Sequence, residues 1–188
     1  MKPKLVNISE EIVRWSFEIA VNESKDWFIA FTNPTAGPWK RITAPNKEGK
    51  IGEIHRFEID ETRPDLILVN DKTHQILIIE AKTTFSDLQK PVQLAKTSQL
   101  FLDLTNKLQN ISDNKFWGAR AGYEYLLGLL WSAGDETKSQ IKETCKLYSR
   151  NISKITKDII CIEGFIENDI LKSKAYNGVS GERLELPN

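Results

Sequence analysis

Arg63-Pro64-Asp65-Leu66-Ile67-Leu68-Val69-Asn70-Asp71-Lys72-Thr73-His74-Gln75-Ile76-Leu77-Ile78-Ile79-Glu80-Ala81-Lys82 is the stretch on which the fold turns. Leu66–Val69 and Ile76–Ile79 are apolar runs of β type, and Asn70–Gln75 between them has turn chemistry. A hairpin with its loop at 71–74 sets Asn70 opposite Gln75; counting outward sets Asp65 opposite Glu80. Side chains alternate along a strand, so Glu80 and Lys82 share a face. Directly paired residues hold their Cβ atoms roughly 4.5–5.5 Å apart. The register therefore predicts Asp65 and Glu80 side by side on one face, with Lys82 next to them.

Two like charges so placed destabilise a sheet, and sequences break such local rules mainly at functional sites. A divalent cation between the carboxylates removes the conflict, and oxygen ligands with water completing the shell suit Mg²⁺. Lys82 is then positioned to hold an attacking water and to offset charge on a phosphoryl group.

Outward from this stretch, residues 9–24 read as a helix. Ser9 is its cap, Glu10 and Glu11 suit its first turn, and Ile12, Trp15, Phe17, Ile19 and Ala20 supply an apolar face. Asp26–Phe31 reads as a short strand. Residues 33–50, with Pro34, Gly37, Pro38, Pro45 and Gly49, read as a long loop, and Gly52–Asp60 as a strand. Residues 86–109 are helical in pattern, opened by Ser86. Tyr123–Trp131 is a buried strand or a buried helix, which periodicity does not decide. Residues 135–157 are amphipathic at helical spacing, and Asp158–Ile166 reads as a strand. The order helix, three strands, helix, strand, helix, strand predicts one α/β domain over 1–188.

Pro64-Asp65 followed by Glu80-Ala81-Lys82 resembles the signature of the PD-(D/E)xK nuclease superfamily, the restriction-endonuclease-like fold. The resemblance covers residues 9 to about 132 in outline and 63–82 in detail. It implies an αβββαβ core with a mixed sheet flanked by helices, and hydrolysis of phosphodiester bonds in double-stranded DNA. It also implies dependence on Mg²⁺, with Mn²⁺ as a substitute. Asp65 and Glu80 would be the metal ligands, and Lys82 would position the nucleophilic water. Members often add an acid upstream. Glu53, at the start of the strand expected to lead into the meander, is the first candidate and Glu18 on the first helix the second; a solvated surface glutamate is the plain alternative for each. A chain this short leaves little room for a separate recognition domain, so it most resembles a small type II restriction endonuclease. Such an enzyme cuts both strands as a homodimer, with tryptophans or the apolar residues of 117–131 at the interface. The alternatives are a cleavage or nicking subunit paired with a second nuclease subunit, a repair or junction-resolving nuclease, and a non-catalytic DNA-binding module of the same fold. A structural α/β protein whose Glu80 and Lys82 form a surface ion pair is the remaining one.

Lys+Arg and Asp+Glu are equal at 26 each, so the chain lacks the basic excess common in nucleic-acid binders, and any DNA surface requires local segregation of charge. Trp39, Lys40 and Arg41 in the 33–50 loop form one candidate for contact with bases and backbone, although Trp39 equally suits packing over the core. Gln93, Lys96 and Gln99, on the helix after the motif, form a second, with ordinary helix-surface polarity as the rival reading. The stripe Lys138, Lys142, Lys146, Arg150 and Lys154 has the spacing to track phosphates, yet a solvated helix face balanced by Glu136 and Glu143 explains it more simply. His55 and His74 lack partners at metal or triad spacing and are read as structural. Cys145 and Cys161 read as buried thiols of a reducing compartment. The N-terminus lacks the pattern of a signal peptide, and no apolar stretch reaches membrane-spanning length, which predicts a cytoplasmic protein without a membrane partner.

Overall fold

The 71–74 turn organises the rest of the molecule. Asn70 Oδ1 accepts from the N–H groups of Lys72 and Thr73 at 2.9 and 3.0 Å, and His74 takes the left-handed conformation at φ 57°. This turn joins β4 (Leu66–Asn70) to β5 (Gln75–Lys82) as an antiparallel pair, with Asn70 opposite Gln75 and Leu66 opposite Ile79 as expected. The structure is a computed structural model that describes residues 10–22, 24–32, 42–45, 51–54, 64–110 and 115–184.

Around the hairpin, β1 (Trp27–Thr32), β6 (Glu124–Ser132), β7 (Ile159–Glu167), β8 (Ile170–Asn177) and β9 (Arg183–Leu184) complete a seven-stranded mixed sheet of order β1-β4-β5-β6-β7-β8-β9. β5, β6 and β7 run parallel, while the outer pairs are antiparallel. Residues 125–131 are a strand, and every one of them is buried. A parallel strand covered on both faces shows no alternation, which is why its sequence fits a helix equally well.

Helices cover both faces. On one, α1 (Glu10–Asn22) packs Phe17 and Val21 against Leu66, Leu68, Leu77 and Ile79. On the other lie α2 (Phe85–Gln89), α3 (Pro91–Gln109), α4 (Lys115–Gly118) and α5 (Lys138–Ile152), whose Leu88, Phe101, Trp117 and Tyr148 pack against Ile67, Val69, Ile76 and Ile78. The α/β class and the layering follow from the sequence pattern.

Several expectations need correction. Residues 33–50 are not all loop: β2 (Ile42–Pro45), led by the β-branched Ile42 and Thr43, pairs with β3 (Ile51–Ile54) in a separate two-stranded sheet. Of the strand expected over 52–60, residues 52–54 fall in β3 and 55–60 lie outside the described residues, so among the described residues it does not precede β4 in the main sheet. β1 lies there instead, pairing Phe28 with Val69 and burying Ala30 and Phe31. The helix expected over 86–109 is two helices. Pro91 stands at the first position of α3, and Lys90 before it takes φ −60°, ψ 129°, the extended conformation that a following proline favours. Thr84, rather than Ser86, occupies the N-cap of α2. Finally, β8 and β9 extend the sheet beyond the last strand read from sequence. Among the described residues, no helix is long and apolar enough to cross a membrane.

Candidate active site

The β4–β5 ladder ends at the Leu66–Ile79 pair, and beyond it the backbone bends around a carboxylate. Asp65 N–H donates to Ile79 O at 3.0 Å, while Asp65 Oδ2 accepts from Ala81 N–H at 2.7 Å, so the side chain takes a place that a strand carbonyl would hold. Ile67 and Val69, Ile76 and Ile78 line the face under α3 and α5, and Glu80 and Lys82 continue the row along β5.

Asp65 is 8% exposed and Glu80 9%, unusually deep for carboxylates. Glu80 Oε1 receives two donors, Lys82 Nζ at 2.7 Å and Gln93 Nε2 at 2.8 Å; Gln93 is held in turn by Thr97 Oγ1 at 2.9 Å. Lys82 Nζ also donates to Ala81 O at 2.6 Å and lies 3.8 Å from Glu10 Oε2, which arrives from the first turn of α1. Asp65 Oδ1 and Glu80 Oε2 have no hydrogen-bond donor among the described residues.

Burial, and next the charge of Asp65, push the Glu80 carboxyl up to about 7 against the pull of Lys82. Asp65 is raised as well, by burial, with the Ala81 N–H and then Lys82 and Arg14 opposing. Glu10 is raised by burial, which outweighs the nearby Lys82. For Lys82, burial favours the neutral amine, but Glu80, Asp65 and Glu10 together reverse this and hold its pKa above the usual value. Three carboxylates, Glu10, Asp65 and Glu80, thus face Lys82 and Arg14, and Arg14 is also paired with Glu18 at 3.3 Å. Such a site offers hard oxygen donors and a fixed ammonium, with excess negative charge.

Asp65, Glu80 and Lys82 are brought together, the charge of Asp65 bearing on both Glu80 and Lys82, although the paired register itself stops at Leu66–Ile79. Gln93, singled out on the following helix, joins them. Glu10 had signalled only a helix start, and it reaches the site because α1 lays its N-terminus beside Lys82; an acid in the first turn of the first helix was the available signal. Glu18, two turns further on, instead accepts from Thr32 Oγ1 at 2.7 Å. Glu53 lies on β3 opposite Thr43, and its side chain is outside the described residues, as are Trp39, Lys40 and Arg41 entirely. Lys96 is exposed on α3 without a contact to the trio, and Gln99 is bonded to Asp103 at 2.8 Å. Trp117 and residues 125–131 are core, so they are not an exposed interface. Among the described residues, no group of three or more His, Cys, Asp or Glu side chains stands at metal-holding spacing. The chain matches no protein family, no curated protein and no solved structure.

Proposed function

We propose that the protein is a Mg²⁺-dependent endonuclease hydrolysing DNA phosphodiester bonds, of the type II restriction kind, with Asp65, Glu80 and Lys82 as its active site. The observation that carries this reading is the burial of Asp65 and Glu80 together, each with an oxygen lacking a hydrogen-bond donor among the described residues. Burying like charges side by side destabilises the fold, and a cation offsets that cost. The donor set fits a hard divalent ion: Asp65 and Glu80 would hold Mg²⁺ or Mn²⁺, with Glu10 as the nearby third acid. When bound, the ion acts as a Lewis acid toward the phosphodiester.

Lys82 is held on two sides by Ala81 O and Glu80 and stays protonated. Its remaining N–H donates to the attacking water while its charge offsets that developing on the phosphoryl group, and it does not act as a base. Gln93 fixes the orientation of Glu80. The topology supports the same reading: α1, the antiparallel run β1-β4-β5, the α3 crossover and parallel β6 follow the order of the αβββαβ core, with β2 and β3 as an insertion. A plain surface ion pair accounts poorly for Glu80 and Lys82, whose side chains are only 11% and 20% exposed.

Incubating pure protein with plasmid and genomic DNA under Mg²⁺, Mn²⁺, Ca²⁺ or a chelator tests the proposal. Cutting is expected with Mg²⁺ and Mn²⁺, binding without cutting with Ca²⁺, and no cutting in chelator. Absence of cutting on every DNA form, with and without a partner subunit encoded beside it, contradicts it.

A further inference from the structure

The chain has two cysteines, and the fold brings them into contact. α5 turns a buried stripe at helical spacing, Ile141, Cys145, Tyr148 and Ile152, toward the sheet, and β7 points Ile159 and Cys161 back at it. Cys145 Sγ and Cys161 Sγ stand 3.3 Å apart, close enough for one thiol to donate to the other, and both side chains are fully buried. Both are free thiols. A small apolar side chain at either position would fill the same space. It would not bring two sulfurs to within about 1.3 Å of the S–S bonding distance.

On one side the pair is covered by a single turn of backbone. A Cβ built on Gly178 would lie 2.3 Å from Cys145 Sγ and 2.7 Å from Cys161 Sγ, so the turn after β8 rests on both sulfurs through a residue without a side chain. Gly178 N–H donates to Ile159 O at 2.8 Å and pins the turn to β7, while Asn177 Oδ1 accepts from the N–H groups of Val179 and Ser180 at 2.9 Å each. Residues 178–181 also line a cavity of about 810 Å³ between the start of α5 and the β7–β8 pair, with the exposed Lys138, Ser180 and Gly181 among its walls. Gly178 thus touches the sulfurs and borders the cavity as well. One residue of backbone separates the dithiol from a space that admits water and small solutes.

We infer that Cys145 and Cys161 are a reversible redox couple, oxidised by a small peroxide arriving from the cavity to a disulfide that ties α5 to β7. One sulfur, as thiolate, attacks the O–O bond of hydrogen peroxide; a sulfenic acid forms, and the leaving oxygen takes up the thiol proton and departs as water. The second sulfur then attacks the sulfenic sulfur, the S–S bond forms, and the hydroxyl leaves as water with the second thiol proton. The dithiol loses two electrons and the peroxide gains them, and exchange with a small dithiol reverses the change. Contact with Cys145 and burial hold the Cys161 thiol well above its ordinary range, so the resting state is the dithiol and turnover needs peroxide in excess. The new bond closes a loop from α5 through 153–158 to β7, which restricts the unfolded chain and favours the folded one. The couple is separate from the Asp65–Glu80 pair and does not depend on hydrolysis there.

The full chain, reduced and freed of reductant, is treated with excess hydrogen peroxide in chelator well below its melting temperature. Free thiols are then alkylated under denaturing conditions and the intact mass is measured. Both thiols should be lost together in a monomer two hydrogens lighter, and dithiothreitol should return both. The oxidised chain should melt about 4 °C or more above the reduced one. Cys145→Ser and Cys161→Ser, or the alanine variants if these unfold, should form no internal disulfide and show no rise in melting temperature with peroxide. Retention of both thiols in the folded chain under peroxide that oxidises the urea-unfolded chain would overturn the inference. So would a cross-link between two chains in place of one within a chain, a disulfide that lowers the melting temperature, or an equal rise in the single variants.

Discussion

Glu80 titrates near 7 in the metal-free fold against 4.5 for an ordinary glutamate, and two measurable consequences follow from that one side chain. Between those values the folded state binds more protons than the unfolded one, so this group's contribution to stability is full below 4.5 and is lost as pH rises through about 7. In chelator, the melting temperature should therefore fall from pH 5 to pH 8. Glu80→Gln should flatten the slope and raise the pH 8 melting temperature by about 2–6 °C, corresponding to roughly 1–2 kcal/mol. A Gln variant that melts lower at pH 8 contradicts the account. A Mg²⁺ ion held as proposed would compete with the same proton, so Mg²⁺ affinity by calorimetry should strengthen as pH rises through about 7 and weaken below it. Asp65, Glu80 and Lys82 were legible because one hairpin fixes their relation, and a hairpin register can be counted. Glu10 was not, because α1 also carries Glu11 and Glu18, and only tertiary packing decides which acid meets Lys82.

At the scale of elements, the parts read correctly are those with strong local signals: the Asn70 turn, the apolar β4 and β5 runs, and the amphipathic α5. The parts missed have weak ones. β8, Ile-Leu-Lys-Ser-Lys-Ala-Tyr-Asn, buries only Ser173 and Ala175 and carries lysines outward, so it lacks an apolar run. Its one local cue was the pair Asn168 and Asp169, which take φ 52° and 60° in the two-residue turn from β7. β1 took the place expected of β3 because the local pattern of a short strand does not reveal which one pairs with β4. The turn after β8 supplies a direct check on α5 packing. A Cβ on Gly178 would lie 2.3 Å from Cys145 Sγ and 2.7 Å from Cys161 Sγ, whereas one on Gly122 meets nothing within 4 Å. Gly178→Ala should lower stability in urea by about 1–3 kcal/mol. Gly122→Ala should stay within about 0.5 kcal/mol of the native protein. Equal midpoints for the two variants would show that α5, β7 and the turn are not packed as described.

For the whole molecule, one site of this kind attacks one strand, and a double-strand break needs two attacks related by a two-fold axis. The proposed restriction activity therefore predicts a homodimer on DNA, or pairing with a second nuclease subunit. Analytical ultracentrifugation with and without DNA in Ca²⁺ checks this, and a lone monomer making clean double-strand breaks would contradict it. The described exposed apolar side chains Ile12, Val92, Leu147 and Ile170 sit on four different elements, so the described surface does not mark the interface. Hydrolysis of DNA by Asp65, Glu80 and Lys82, as proposed, is tested by supercoiled plasmid cleavage in Mg²⁺ by the native chain and by Lys82→Ala purified in parallel, each confirmed folded by its thermal melt. Nicked or linear product is expected from the native chain, and at least a hundredfold slower cutting from the variant. A folded Lys82→Ala protein that cuts at the native rate would contradict it.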